Sequence, residues 1–322
     1  MSITTGDKIL MGAGIQSSDG VAASTILYST TNPPQMNARI DKQDVPASGH
    51  IADAKNVKNT KKYSEPSVSG AVNNEFFGLL LKAALGTLTT TADTPETDVH
   101  SHAALVANTN AHPKLTLVFD EGALAGRQIV DAMISRLQFT VKNGEVASFE
   151  ADFMGGFPTD VSLSPVVPDE INYDPSHVTV KVEANEGALA GGTGKCVEEV
   201  TLTIEKNIGS KYCLGSITPD KLFNTEMVIT GSMISTYEDQ TYRDVWKDSS
   251  FKAIGIYLVN DDELIGAATD PSLEFIIPKA AYKEWTMDAP TDDLVRQTIA
   301  FKAYLSGSDF IKANIVNTTE TY

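Results

Sequence analysis

The sequence predicts an α+β protein in which β-strands dominate, on the basis of three observations. Most of the 322 residues fall in short runs where β-branched or aromatic residues alternate with polar ones, and Gly, Pro, Asn or Asp separate the runs. Only two stretches have helical periodicity. Segments of the second half also repeat segments of the first half in the same order. These features favour two β-rich domains with one helix each.

Alternation of side chains marks the strand-forming regions in both halves of the chain. The clearest is 134–153, where the turn Lys142-Asn143-Gly144 joins two alternating runs and predicts a β-hairpin. The remaining alternating runs are 114–119, 177–184, 198–206, 226–234 and 252–259. Each run is long enough for one face to be buried and the other exposed.

Two helices are predicted, one in each half. The first covers 73–85 and ends at Gly86, which suits the left-handed position after a helix. The second covers 235–248, where Ser235 and Glu238 have the spacing of a capping box. Its apolar face is formed by Tyr242, Val245 and Trp246.

Four collinear sequence matches relate the two halves. They pair 40–43 with 204–207, 68–72 with 229–233, 115–119 with 273–277, and 148–155 with 300–307. The offset between matched segments changes slowly along the chain, as differences in loop length would produce. The matches predict an internal duplication of a unit made of strands, one helix and a long hairpin.

The duplication divides the chain into a first domain over 1–160 and a second domain over 161–322. Residues 156–172 contain the Pro and Gly residues expected of the junction. We expect residues 1–35 to form an N-terminal arm and the Thr- and Ala-rich residues 86–113 to form a long loop.

Charge and composition exclude several classes of function. The net charge is −17, which opposes the neutralisation of phosphates on which most nucleic-acid binding depends. Two cysteines, Cys196 and Cys213, are too few for a disulfide framework. The most apolar window, 76–86, is about half the length that would cross a bilayer, and the chain begins without a secretory leader pattern. We therefore expect no membrane span.

No catalytic, cofactor or metal site is predicted. His100, His102 and His112 fall in the 86–113 segment without neighbouring ligands, which favours an exposed loop over a metal site. The glycine-rich segment 187–196 lacks the spacing of a phosphate-binding loop and is interpreted as a hairpin turn. Acidic residues in 260–264 and 289–294 lack the pattern of a calcium loop and are interpreted as solvated turns.

Several longer segments resemble the major tail tube proteins of long-tailed, siphovirus-type bacteriophages. They are EPSVSGAVNNEFFGLLLKAALGT, LTLVFDEG, LQFTVKNGEVASFEADFMGGF, VEEVTLTIEKNI and WTMDAPTDDLVRQTIAFKAYL, in this order. The resemblance runs from about residue 35 to the C-terminus. It implies a structural, non-enzymatic virion protein with no cofactor. Its fold would be two packed β-sheets flanked by a helix, and rings of subunits would stack into the tail tube.

The resemblance and the duplication together imply three chains per pseudo-hexameric ring. Its implied partners are further copies of the chain, the tape measure protein in the lumen, the tail terminator and the distal tail protein. Double-stranded DNA would pass through during ejection without specific binding, and assembly would take place in the host bacterial cytoplasm. Two alternatives remain: a tail terminator or adaptor that forms one ring, and a carbohydrate-binding β-sandwich adhesion module.

The hairpin strand 148–153 supplies candidate lumen-facing residues. Phe149, Ala151 and Phe153 alternate with Glu150 and Asp152, so the carboxylates point to the lumen if the apolar side chains point to the core.

The matching positions of the second copy are Lys302 and Tyr304. This difference predicts a lumen surface whose charge is uneven between the two copies.

Overall fold

A computed structural model describes residues 9–93, 95–121, 125–166 and 170–322. The first half of the chain forms the strands β1 (Leu10–Ile15), β2 (Leu27–Ser29), β3 (Ala38–Pro46), β4 (Ala54–Ser64), β5 (Ser67–Ala71), β6 (Gly86–Ala92), β7 (His100–Val106), β8 (Leu115–Asp120), β9 (Gly126–Lys142), β10 (Ser148–Met154) and β11 (Thr159–Val161). The second half forms β12 (Val178–Glu183), β13 (Gly194–Lys195), β14 (Glu199–Lys211), β15 (Lys221–Thr236), β16 (Phe251–Val259), β17 (Ser272–Asp288), β18 (Arg296–Ala303) and β19 (Lys312–Asn317). The helices are α1 (Phe76–Leu85) and α2 (Thr241–Lys247). The predicted β-dominated α+β class is confirmed.

Seven antiparallel strands form a sheet that runs through both halves, in the order β5, β10, β9, β14, β15, β18 and β17. We call it the shared sheet. The two halves meet where β9 pairs with β14. They meet a second time at β19, which pairs with β17 on one side and with β7 of the first half on the other. Backbone hydrogen bonds therefore join the halves edge to edge.

The same set of pairings occurs once in each half. β9 pairs with β8 and β10, and β17 pairs with β16 and β18. β1 pairs with β8 in the first half, as β12 pairs with β16 in the second. β10 pairs with β5, as β18 pairs with β15.

The hairpin of β3 and β4 forms a separate two-stranded sheet. Eight of the nine residues of β3 are exposed. A two-stranded hairpin gains little stability on its own in water. Because side chains on both faces of β3 are exposed, the hairpin projects from the body into solvent.

Helix α1 ends where predicted but begins three residues later, at Phe76, and α2 begins six residues later than predicted, at Thr241. Gly86 follows α1 with a φ of 102°, the conformation that favours glycine. Ser235 is part of β15 and pairs with Gln297, so the predicted capping box with Glu238 is wrong. Gln240 occupies the N-cap position of α2, and Oδ1 of the preceding Asp239 accepts a hydrogen bond from the Thr241 amide at 2.8 Å.

Two regions interpreted as irregular are strands. Most of the predicted loop 86–113 is the hairpin of β6 and β7, which pairs with β19. Within the predicted arm 1–35, β1 and β2 are integral to the sheets, and Met11 and Ala13 are fully buried. Residues 1–8 lie outside the described residues. Within the described part of the chain, neither helix is long and apolar enough to cross a membrane.

Candidate functional site

The shared sheet has one apolar face, which forms the core. Directly opposed residues run across all seven strands in the row Gly70, Phe149, Phe139, Leu202, Gly231, Phe301 and Tyr282. Two rings of this row pack against Phe77 of α1, at centroid distances of 5.8 Å for Phe149 and 6.3 Å for Phe139. The alternation predicted for 148–153 is confirmed, because Phe149, Ala151 and Phe153 are buried.

The opposite face of the shared sheet is polar, and we call it the polar face. One row of directly opposed residues crosses six strands and consists of Ser69, Glu150, Gln138, Thr203, Thr230 and Lys302. Two of the predicted lumen residues, Glu150 and Lys302, are thus members of a single row. The neighbouring row contains Asp152, opposite Arg136, which is itself opposite Glu205.

Arg136 modifies the electrostatics of the polar face in a way that the sequence did not reveal. Its Nη1 lies 3.2 Å from Oε2 of Glu150 and 3.3 Å from Oδ2 of Asp152. The guanidinium also donates a hydrogen bond to Gln138. Both carboxylates are partly exposed, so the ion pairs contribute little stability, but they offset the negative charge at this position. The register between β9 and β10 brings these groups together.

Tyr304, the fourth predicted lumen residue, lies just beyond β18 and has apolar and cationic neighbours. Its ring is 5.7 Å from the ring of Phe251 in an edge-to-face arrangement. The Nζ of Lys283 lies 5.2 Å from the ring centroid. Its amide donates to the carbonyl of Lys279 at 2.8 Å. Tyr304 is therefore held at the end of the sheet by packing and by a cation–π contact.

The three histidines of 86–113 are buried, which contradicts the interpretation of an exposed loop. His102 is hydrogen-bonded through Nδ1 to Thr90 Oγ1 and through Nε2 to Asn317 Oδ1, both at 2.9 Å. Burial lowers the pKa of His102 below its ordinary value, and the bond to Asn317 opposes that effect. His102 is thus a core histidine that ties β7 to β19.

His112 belongs to a buried polar contact between the two halves. Its Nε2 is 3.0 Å from the carbonyl oxygen of Ala107, and its Nδ1 is 3.1 Å from Nζ of Lys206. Lys206, on β14, also donates to the carbonyl of Ala83 near the end of α1 at 3.0 Å. Burial lowers the pKa of Lys206 to about 7, and burial followed by the charge of Lys206 lowers the pKa of His112.

A further titratable cluster lies where the second half begins. The Asp174 amide donates to Nδ1 of His177 at 3.2 Å, which places the imidazole proton on Nε2. That nitrogen is 3.3 Å from Oδ2 of Asp262. These three residues are near enough to be considered as metal ligands. However, a metal on Nε2 needs a proton on Nδ1, which would face the Asp174 amide proton, so the arrangement suits a hydrogen-bonded link better.

A cavity of about 220 Å³ lies beneath α2. Two hydroxyl groups on its wall, Oγ of Ser235 and Oη of Tyr282, are buried and have no hydrogen-bond partner among the described residues. Cys196 and Lys195 stand at the cavity, but no histidine lines it, so the thiol has no imidazole base there. The described residues around this cavity do not form a nucleophile–base pair.

The structure thus defines a β-dominated protein with an open polar sheet face and a separate two-stranded hairpin. The family model described as phage tail tube protein matches residues 7–303, and the chain belongs to this family. No curated protein matches the chain. The resemblance to tail tube proteins is confirmed, and the protein is a structural component of the bacteriophage virion tail whose family assembles into a tube with other tail proteins.

Proposed function

We propose that three copies of this chain close into a ring, and that stacked rings form the tail tube through which DNA leaves the virion. The observation that carries this proposal is the pairing of β9 with β14. That pairing joins two halves with equivalent strand connections edge to edge. A ring follows when the same contact is repeated between chains, which is a heterologous interface that closes.

Equivalent residues support two tandem tail tube domains, 1–160 and 161–322. Phe149 lies opposite Gly70 in the first half, and Phe301 lies opposite Gly231 in the second. These pairs place the matched segments 148–155 and 300–307 in register with the matched segments 68–72 and 229–233. However, β8 pairs with β1 and β9 as β16 pairs with β12 and β17, so β8 corresponds to β16. Residues 273–277 lie in β17, so the sequence match of 115–119 to 273–277 does not join equivalent strands.

One strand edge supplies the contact between chains. Across 282–288, β17 pairs with β18 within the described residues and offers its other edge to a partner. This is the edge that β9 uses to bind β14. Thr31 pairs with Gly70 as Leu202 pairs with Gly231, so the part of a neighbouring chain that corresponds to β14 begins at about residue 28 and continues into β3. The sequence match of 40–43 to 204–207 therefore does not join equivalent residues. Pairing there covers the exposed edge of β17 and closes the ring.

The β3–β4 hairpin is the proposed contact between stacked rings. Residues 38–64 contain six basic and three acidic side chains, although the whole chain has a net charge of −17. The hairpin projects from the body with nearly all of β3 exposed. A basic projection and an acidic body are complementary, so the hairpin of one ring docks on the next ring, head to tail.

The polar face is the proposed lumen wall, with Glu150, Asp152, Lys302 and Tyr304 among its residues. Its charges are of both signs, so it lacks the clustered cations by which proteins neutralise phosphates. Duplex DNA and, before ejection, the tape measure protein occupy this lumen without specific binding. The tail terminator and the distal tail protein contact the two ends of the tube. The protein acts without catalysis or a cofactor, and it assembles in the host bacterial cytoplasm.

Negative-stain electron microscopy of the purified, concentrated protein tests this proposal. Hollow tubes or stacks of rings with six lobes in end-on view are expected. The mass of the ring in solution, measured by light scattering, should equal three chains of 34.5 kDa. Rings that never stack would point to a terminator or adaptor. Rings of six chains would contradict the role of the duplication.

A further inference from the structure

The helix of the first half is covered by the end of the chain. Nine of the ten residues of α1 are buried. Thr318 Oγ1 donates to Glu75 at 3.2 Å just before the helix begins. At the third residue of the helix, a Cβ on Gly78 would stand 2.5 Å from Cζ of Tyr322. The Nζ of Lys82 donates to the carbonyl oxygen of Tyr322. Residues 318–322 thus lie along α1 from its start to its seventh residue.

Among the residues that the structure describes, no segment covers the helix of the second half in this way. None of the residues of α2 is buried. Trp246 is 38% exposed even though its ring stacks on Trp285 at 6.4 Å. The two helices nevertheless occupy equivalent positions, because the second residue of each packs on an equivalent residue of the shared sheet. Those contacts are Phe77 on Phe139 at 6.3 Å and Tyr242 on Tyr282 at 6.2 Å.

The chain segment that corresponds to 318–322 can be located from the strand that precedes it. β19 adds to the N-terminal part of β17, and residues 318–322 follow it directly. β11 adds to the N-terminal part of β9 in the same way, and residues 162–166 follow it. In this segment Val166 is 75% exposed. Residues 162–166 of the first half are therefore the counterpart of residues 318–322 of the second half, the segment that covers α1.

We propose that residues 162–166 of one chain pack along the exposed face of α2 of the neighbouring chain. In the ring, the unit that follows a second half is the first half of the next chain, so the covering segment must come from another copy. This inference rests on the ring proposed above.

The contact is chemically matched. Val166 brings exposed apolar surface to Trp246. Lys247, the seventh residue of α2, is exposed and stands at the position of Lys82 in α1, so it can donate to a carbonyl of the docked segment as Lys82 does. Burial of the two apolar side chains removes their surface from water and stabilises the ring.

Disulfide trapping tests the contact directly. Cys196 and Cys213 are first replaced by serine, and Val166→Cys and Lys247→Cys are introduced together. Assembled rings are oxidised and analysed on non-reducing gels. Covalent dimers and trimers are expected. The matched control combines Val166→Cys with Leu214→Cys, which is exposed in the turn between β14 and β15, and this control should stay monomeric on the gel.

A second variant separates the contact from the ring itself. Trp246→Glu should leave the circular dichroism spectrum of the monomer unchanged and lower the fraction of chains in rings by about tenfold or more. Rings that assemble without crosslinking, together with normal assembly of Trp246→Glu, would overturn the inference and leave the tail tube role intact. Failure of the unaltered chain to form any ring would reject the proposed function and this contact with it.

Discussion

The side-chain amine of Lys206 lies 3.1 Å from Nδ1 of His112 and 3.0 Å from the carbonyl oxygen of Ala83 in the buried region between the two halves. A buried, charged amine has lost its hydrogen bonds to water, and these two acceptors replace some of them. The contact joins β14 of the second half to the end of α1 in the first half. Because Lys206 titrates, pH should change the stability of this contact between the halves.

Stability should rise with pH above neutrality because of Lys206. Its pKa is about 7 in the folded chain and 10.5 when solvated, so between these values the unfolded chain binds the extra proton. One such group makes the free energy of unfolding increase by about 1.4 kcal/mol per pH unit across that window, and its contribution is constant below about pH 7. Urea unfolding of the chain at pH 7 to 10 measures this slope.

Lys206→Met is the matched comparison, since it keeps the length of the side chain and removes the titrating group. We expect it to lose the pH-dependent slope while remaining folded. Equal slopes for the two proteins would show that Lys206 is not the group responsible.

Gly231→Ala should destabilise the protein by about 1–3 kcal/mol, as overpacked cores do. A Cβ at this position would approach the ring of Phe301 and come within 2.5 Å of the carbonyl oxygen of Thr201. The backbone oxygen cannot move aside without disturbing the pairing of β14 with β15. Thermal unfolding followed by circular dichroism measures the loss.

Gly70→Ala is the control for this substitution, because Gly70 faces Phe149 in the equivalent pair of the first half. Its nearest neighbours would be 3.3 Å and 3.4 Å from the new Cβ, at Thr31 and Phe149, so a smaller loss is expected. An equal or larger loss for Gly70→Ala would contradict this account of the packing.

Charge reversal on the polar face should impair DNA passage without preventing assembly. Glu150→Lys together with Asp152→Lys places two cations beside Arg136 and attracts phosphate to the proposed lumen wall. Infectivity of virions with normal tails should fall by about tenfold or more, the scale on which local charge changes the concentration of a charged partner.

The control reverses the same number of charges elsewhere, with Glu263→Lys and Asp292→Lys, which are exposed and outside the polar face. Normal DNA delivery by the Glu150/Asp152 variant would remove support for a lumen at this face. A loss shared by both variants would point to net charge alone.

The projecting hairpin should control stacking through its charge. Lys55→Glu with Lys58→Glu reverses two exposed cations of β4, while the contacts of Lys61 with Tyr212 and of Lys62 with Phe157 are left in place. Rings should still form, but tubes should be shorter or absent in low salt. Lengths measured on micrographs test this, with Lys55→Arg and Lys58→Arg as charge-preserving controls. Tubes of normal length in the glutamate variant would exclude an electrostatic role for the hairpin.

Local patterns in the sequence predicted features that depend on local interactions. Alternation in 148–153 is sufficient to place Glu150 and Asp152 on the face opposite the core, and Gly86 is sufficient to end α1. In contrast, the Thr- and Ala-rich segment 86–113 was predicted to be a loop. Its strand β7 pairs with β19, about 200 residues away, and a local pattern does not reveal such a distant partner. His102 is buried there for the same reason.

The rest of the polar face depends on register, which a single sequence does not display. Arg136 reaches Glu150 and Asp152 because β9 pairs with β10 in one alignment, and a shift of one residue would turn it to the other face. The helix α2 was predicted too early for a related reason. Ser235 and Glu238 satisfy a local capping pattern, but the pairing of Ser235 with Gln297 extends β15 past that point.

The pairing of β9 with β14 also bears on how the width of the bore is determined. Half of the contacts between tube domains in the proposed ring form inside a single chain, at the effective concentration of an intramolecular reaction, before any partner arrives. The angle between two successive domains is thus settled during folding. In the proposed ring, each chain would supply a third of the circumference, and association would repeat between chains the domain angle that each monomer already has.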